Sequence, residues 1–189
     1  MLEILQTLQN EQAVWSEKNF GEQPPTAPLL GLIEEVGELA HAVLKRNQGI
    51  RTGENHIEQM KDAIGDIVIY AADYATRQGF QLDAAYGLLV GFEDMRNFRD
   101  DAGTDAFVFS ISLSLGRLCK YHSARVNLGK AETIELQTSY MGALLVQLKR
   151  LCDREDLRLD KIIEETWAQV KRRDWKKYPE TGLPKGKAA

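Results

Sequence analysis

Apolar residues recur at helical spacing along nearly the whole chain, whereas the strict alternation typical of strands is nearly absent. The glycines at 49 and 79 follow two of these periodic stretches, where a helix commonly ends. A loop is predicted over Asn19–Pro28, which contains GEQPPTAP. The predicted helices are Leu2 to about Lys18, Leu29 to about Asn47, Asn55 to about Gln78, and Leu82 to about Arg99. Four helices joined by short connections predict an all-α helical bundle.

The first helix is predicted to bury one side, formed by Leu2, Leu5, Leu8 and Trp15. Cys119 and Cys152 lie in helix-like sequence without metal-ligand spacing, and we expect them to be reduced thiols in the core.

The second half of the chain resembles a divergent copy of the first. Residues 78–99 align without gaps with residues 155–176, residues 65–77 with 142–154, and residues 37–43 with 116–122. Chance similarity among amphipathic helices is the alternative. The copy lacks acids, since Leu113, Ser114, Arg117 and Ala143 occupy the positions of Glu34, Glu35, Glu38 and Asp66. We therefore predict two helical pseudo-repeats, of which only the first carries a cluster of carboxylates.

Composition narrows the class of protein only modestly. The 189 residues are 43% hydrophobic and 28% charged, as in ordinary globular proteins. A net charge of −4 does not favour a nucleic-acid partner. The N-terminal stretch does not read as a signal peptide and no apolar run reaches membrane-spanning length, so we expect a cytoplasmic protein with no membrane partner.

The most distinctive chemistry is a group of acidic residues on two predicted neighbouring helices. Glu34, Glu35 and Glu38 cover an arc of roughly 100° on the first of these helices. A solvated helix face is the ordinary alternative for such a group.

Asp62, Asp66 and Asp73 form a narrower stripe of roughly 40° on the second helix. Asp66 and Asp73 are surrounded by apolar residues, and no Lys or Arg lies at the spacing that would pair Asp66 within this run. Because half-buried carboxylates need a partner, a hard divalent cation held by oxygens from both helices is the simplest one.

The segments GLIEEVGELAHAV and DAIGDIVIYAADYA resemble the all-α nucleoside triphosphate pyrophosphohydrolases, the MazG-like and dimeric-dUTPase superfamily. That family has an EExxE helix followed by an ExxD helix, which together bind magnesium against the phosphates of the substrate. Glu34, Glu35 and Glu38 match EExxE, and Asp66 matches the aspartate of ExxD. Ala63 stands where the glutamate of ExxD would be, and Asp62 is the nearest carboxylate on the same face.

The resemblance implies a MazG-like bundle with a catalytic-type unit at residues 1–103 and a degenerate second unit at 104–189. It also implies a magnesium-dependent hydrolase, with Mn²⁺ as an alternative ion. The reaction would cleave a nucleoside triphosphate between its α and β phosphates. The implied metal ligands are Glu34, Glu35, Glu38, Asp62 and Asp66, with Glu35 as the candidate base.

Substrate binding needs cations for the phosphates and a surface for the base. Lys45 lies seven residues beyond Glu38, on the same helix face, although a cation near a helix C-terminus is favourable anyway. Arg96 and Asn97 lie on the following helix. Trp15, with Phe20 and Tyr70, could stack on the base, whereas Lys171, Arg172 and Arg173 are expected to form a solvated surface.

The sequence is also compatible with other functions. The main one is a non-catalytic helical protein that binds a nucleotide or another protein chain, because one motif carboxylate is absent. A phosphoribosyl-ATP pyrophosphohydrolase-like activity is a second enzymatic alternative. A homo-oligomer is compatible with either class.

Overall fold

The computed structural model describes residues 1–90, 103–123 and 129–184, and within these ranges the chain is helical with no strand. The all-α prediction is therefore confirmed. The helices of the described ranges are α1 (Leu2–Phe20), α2 (Thr26–Gln48), α3 (His56–Gln78), α4 (Leu82–Val90), α5 (Thr104–Ser123), α6 (Lys130–Arg154) and α7 (Leu159–Val170).

Helices α2 and α3 end at the glycines that the sequence indicates. Gly49 and Gly79 adopt left-handed conformations with φ of 63° and 84°, which glycine adopts without steric cost. At the other end of α3 the side chain of Asn55 accepts a hydrogen bond from the backbone N–H of Glu58 at 3.2 Å. Local sequence thus delimits α3 at both ends and α2 at its C-terminal end.

Two predictions about the first helices are wrong. The loop expected over Asn19–Pro28 is shorter, because α1 continues to Phe20 and α2 begins at Thr26. Pro28 fits in the first turn of α2, where a missing N–H removes no intrahelical hydrogen bond. Leu2, expected in the core, is 48% exposed.

Glycines let the helices approach one another closely at three points. Gly31 of α2 lies against the ring of Tyr70 of α3, and Gly65 of α3 lies against Thr166 of α7. Gly142 of α6 lies against the backbone of Ala85 of α4. In each case a Cβ atom would overlap its neighbour, so a larger residue would push the helices apart.

The hydrophobic core contains buried side chains from every helix of the described ranges. Representative members, in chain order, are Leu5, Leu32, Ile64, Leu82, Ile111, Leu144 and Ile163. Cys152 is buried in this core and Cys119 is half-buried, and both are free thiols. Among the described helices, none combines the length and the apolar character needed to cross a membrane.

Candidate metal and nucleotide site

Helices α2 and α3 pack antiparallel, so acidic residues of one face those of the other. The start of α2 meets the second half of α3 at Gly31 and Tyr70, and the middle of α2 meets the start of α3. Between them lies an open cleft of about 440 Å³, called here the acid cleft. Its lining residues are Glu34, Gly37, Glu38, His41, Gln59 and Asp62.

The predicted carboxylates differ in exposure. Glu34, Glu38 and Asp62 are exposed, Asp66 is half-buried, and Glu35 is only 9% exposed. Burial, followed by repulsion from the other four carboxylates, raises the pKa of Glu35 to about 8. The structure therefore brings the other four predicted carboxylates within electrostatic reach of Glu35.

Asp66 lies between negative and positive neighbours. Burial and the nearby Asp62 raise the pKa of Asp66 to about 6, while Arg173 acts in the opposite direction. The prediction that Arg173 lies on a solvated surface is wrong, because Arg173 is half-buried beside Asp66. Arg173 supplies positive charge to the site from the segment after α7.

The structure explains how Ala63 can stand where the resembling pattern has a glutamate. Ala63 is 1% exposed and belongs to the hydrophobic core. The adjacent Asp62 lines the acid cleft instead. A carboxylate at position 63 would be directed into apolar surroundings, and the cleft-facing position is 62.

A second cleft, of about 320 Å³, adjoins the first and is called here the aromatic cleft. Glu34 lines both clefts, so they meet at this side chain. The aromatic cleft brings together Trp15, Phe20 and Tyr70, the three aromatic residues singled out from the sequence. Its full lining is Gln12, Trp15, Phe20, Glu34, Glu35, Asp66, Ile69, Tyr70, Asp73, Val170, Arg173 and Trp175.

Hydrogen bonds to α1 hold the segment after α7 in this cleft. The indole Nε1 of Trp15 donates to the backbone carbonyl of Arg173 at 3.1 Å. The backbone N–H of Trp175 donates to Oδ1 of Asn19 at 2.7 Å. Each bond joins residues more than 150 positions apart in the sequence. Together they hold Arg173 and Trp175 against α1.

Asp73, the third acid of the α3 stripe, has a structural partner. Its Oδ1 accepts a hydrogen bond from Nε of Arg77 at 2.8 Å, one helical turn away. Arg77 also donates to the hydroxyl of Ser16 on α1 at 2.9 Å and to the carbonyl of Gln23 at 2.7 Å. The Asp73–Arg77 pair thus connects α3 with α1 and with the loop between α1 and α2.

The predicted phosphate-binding residues are less well placed. Lys45 is half-buried, but it lines neither the acid cleft nor the aromatic cleft. Arg96 and Asn97 lie outside the described residues.

The donors in the two clefts suit a hard cation, since carboxylate oxygens are the ligands that Mg²⁺ prefers. The buried carboxylate of Glu35 also lacks a positive partner among the groups that shift its pKa. With the side chains as they stand, however, no three or more His, Cys, Asp or Glu of residues 1–90, 103–123 and 129–184 are grouped to hold a metal ion. The role of the five carboxylates as ligands stays a prediction.

Gln12, Arg173 and Trp175 line the aromatic cleft and His41 lines the acid cleft, although the sequence did not indicate them as site residues. Helical spacing on α1 places Gln12 one turn before Trp15, and this was the available signal. No local pattern indicates that residues 173–175 return to α1.

Comparison with known proteins identified no relative: no family model, no curated protein and no solved structure matches this chain.

Proposed function

We propose that this protein is a magnesium-dependent nucleoside triphosphate pyrophosphohydrolase that releases a nucleoside monophosphate and pyrophosphate. The observation that supports the proposal best is the junction of two clefts at Glu34, one lined by carboxylates and the other by aromatic rings. A nucleoside triphosphate has the matching two ends, a polyphosphate that binds through a divalent cation and a planar base.

The base would occupy the aromatic cleft, where Trp15, Phe20 and Tyr70 offer surfaces for stacking. The polyphosphate would then extend past Glu34 toward Glu38 and Asp62. Arg173, which faces the half-buried Asp66, is the cation best placed to contact a phosphate oxygen directly.

In the proposed reaction the oxygen of a water molecule forms a bond to the α phosphorus. The bond from that phosphorus to the oxygen bridging the α and β phosphates breaks, and this oxygen leaves with pyrophosphate. The deprotonated form of Glu35, the most buried carboxylate of the set, would accept the proton of the water. Bound Mg²⁺, held by Glu34, Glu38, Asp62 and Asp66 with Glu35, would neutralise phosphate charge and position the reacting oxygens.

The proposal includes two related helical units in one MazG-like bundle, at residues 1–103 and 104–189. Packing at equivalent positions supports it. Gly65 contacts Thr166, and its aligned counterpart Gly142 contacts Leu89, the counterpart of Thr166, besides Ala85. Each unit would therefore pack its last helix against the other unit, and the second unit would contribute Arg173 and Trp175 to the site of the first.

A pyrophosphate-release assay across ribo- and deoxynucleoside triphosphates, with Mg²⁺ or Mn²⁺, tests this proposal directly. We expect equimolar monophosphate and pyrophosphate, with activity lost on chelation and restored by added Mg²⁺. Release of inorganic phosphate and a diphosphate instead would contradict cleavage between the α and β phosphates.

A non-catalytic nucleotide-binding protein is the second candidate. Ala63 favours it, because a core position replaces one carboxylate of the resembling motif. Metal-dependent binding of triphosphates without pyrophosphate release would support this candidate over the enzyme.

A further inference from the structure

Helix α1 buries four polar side chains on one face, an unusual feature for a helix that packs against a hydrophobic core. They recur at spacings of three and four residues, so they form a continuous stripe. The members are Gln9, Gln12, Ser16 and Asn19, each 5% exposed or less.

Three members of this stripe have partners that account for their burial. Gln9 accepts a hydrogen bond from the backbone N–H of Leu82 at 2.7 Å and donates to the carbonyl of Phe80 at 2.9 Å. Ser16 accepts from Arg77, and Asn19 accepts from the backbone N–H of Trp175. These residues connect α1 to the rest of the fold.

Gln12 is different. It is 2% exposed, yet its Oε1 has no hydrogen-bond partner among the described residues. A buried amide oxygen without a partner destabilises a protein, because water no longer satisfies it. A ligand that completes its hydrogen bonding is one explanation for a polar group left in this state.

The surroundings of Gln12 indicate the chemistry of that ligand. Gln12 lines the aromatic cleft together with Trp15, Phe20 and Tyr70. Aromatic side chains accept a planar ring by stacking, and an amide oxygen accepts a hydrogen bond from an N–H on the edge of such a ring. Both features together match a nucleobase better than a sugar or an aliphatic ligand.

We propose that Gln12 is a specificity-determining residue that recognises a nucleobase in the aromatic cleft by accepting a hydrogen bond from an N–H on its edge. This inference rests on the proposed function, since it identifies the group that would read the base of the substrate. The oxygen acts on the base and takes no part in the transfer of the phosphoryl group.

Binding of phosphate-free nucleosides, measured without divalent metal through tryptophan fluorescence, separates base recognition from the metal chemistry. We expect saturable binding of at least one nucleoside to the wild-type protein, and roughly tenfold weaker binding to Gln12→Met. An analogue of that nucleoside methylated at the edge N–H should bind the wild-type protein more weakly than the parent nucleoside does. The analogue and the parent nucleoside should bind Gln12→Met with similar affinity.

Thermal unfolding of the ligand-free proteins supplies the control. Gln12→Met removes an unpartnered polar atom and should raise the melting temperature or leave it level, whereas Gln9→Met removes two hydrogen bonds and should lower it. A lower melting temperature for Gln12→Met, with nucleoside affinity unchanged, would mean that a bound water or a structural contact satisfies the amide, and would overturn the inference.

The two proposals can fail separately. Gln12-dependent nucleoside binding without pyrophosphate release would remove the enzymatic function and leave the base-binding role intact. Pyrophosphate release with the same base preference in Gln12→Met and wild type would overturn the role of Gln12 alone. No saturable binding of any nucleoside to the wild-type protein would also overturn it.

Discussion

The helix pairs α2–α3 and α5–α6, which the sequence alignment relates, differ in their acidic residues. Aligned positions have matching burial: Glu35 and Ser114 are 9% and 8% exposed, and both Glu38 and Arg117 are exposed. The second pair nevertheless packs tightly without any carboxylate at these positions. The aligned pairs of residues are Glu34 with Leu113, Glu35 with Ser114, Glu38 with Arg117, and Asp66 with Ala143.

This comparison separates the requirements of folding from those of the site. Packing needs small residues where helices meet, as at Gly65 and Gly142, and apolar residues elsewhere. Packing does not need clustered acids. Burial, together with the mutual repulsion of these acids, raises the pKa values of Glu35 and Asp66. Their presence in one pair alone therefore favours a ligand of opposite charge.

The largest expected effect follows from removing one carboxylate charge from the α2–α3 pair. Glu38→Gln and Asp66→Asn should each reduce magnesium-dependent pyrophosphate release by at least about 100-fold, because each keeps side-chain size while weakening the metal site. Steady-state assays with titrated Mg²⁺ measure this. Stability should stay level or rise.

Arg117→Gln is the matched control, since Arg117 occupies the position of Glu38 in the second pair. It should leave pyrophosphate release unchanged. Equal losses in Arg117→Gln and Glu38→Gln would show that the substitutions act through the fold rather than through a metal.

The next effect tests the close packing of α3 on α7 and of α6 on α4. Gly142→Ala should lower the free energy of unfolding by about 2–3 kcal/mol, because the new Cβ overlaps the backbone of Ala85, which cannot rotate away. Gly65→Ala should cost about 1–2 kcal/mol, since rotation of Thr166 can move its Oγ1 and Cγ2 away but leaves its Cβ 2.7 Å from the new Cβ. Denaturant unfolding measures both.

The double variant Gly65→Ala with Thr166→Ala should recover part of the loss seen in Gly65→Ala, because it removes the overlaps with Oγ1 and Cγ2 and keeps the one with Cβ. No companion side-chain change should rescue Gly142→Ala. If both glycine variants were as stable as the wild type, the close approaches described for these helices would be wrong.

Local sequence accounts for most of the helices and for part of the site. Periodicity and the glycines at 49 and 79 predict α2 and α3, and with them the facing carboxylates. The start of α2 differs from the prediction because Pro28 lies in the first turn of the helix, where proline is tolerated. Arg173 could not be placed, because long-range hydrogen bonds from α1, rather than local periodicity, determine its position.

A smaller effect concerns the stability of the metal-free protein. The carboxyl of Glu35 has a folded pKa near 8 and an ordinary value of 4.5, so the folded state binds its proton more tightly than the unfolded state. This contribution to stability is complete below about pH 4.5 and is lost as the pH rises through 8. Glu35→Gln cannot ionise, so its stability should not fall in this way as the pH rises.

With a chelator present, Glu35→Gln should be more stable than the wild type at pH 9 by about 1 kcal/mol, allowing for solvent screening at the open cleft. The difference should shrink toward pH 4. Denaturant unfolding at several pH values measures it, and a variant less stable than the wild type at pH 9 would contradict the unfavourable burial of this charge.

The smallest effect distinguishes two versions of the metal site. Asp62 is exposed and lines the acid cleft, while the neighbouring position 63 faces the core. If Asp62 takes the place of the missing motif glutamate, Asp62→Asn should weaken Mg²⁺ binding several-fold, approaching the effect of Asp66→Asn, with little change in stability. Glu58→Gln is the matched control on the same helix, because Glu58 is exposed and pairs with Lys61 at 2.7 Å, and it lines neither the acid cleft nor the aromatic cleft. Calorimetric titration of Mg²⁺ into the four proteins provides the comparison. Equal affinity in Asp62→Asn and wild type would mean that the ion is held without Asp62, by the glutamates of α2 and Asp66 alone.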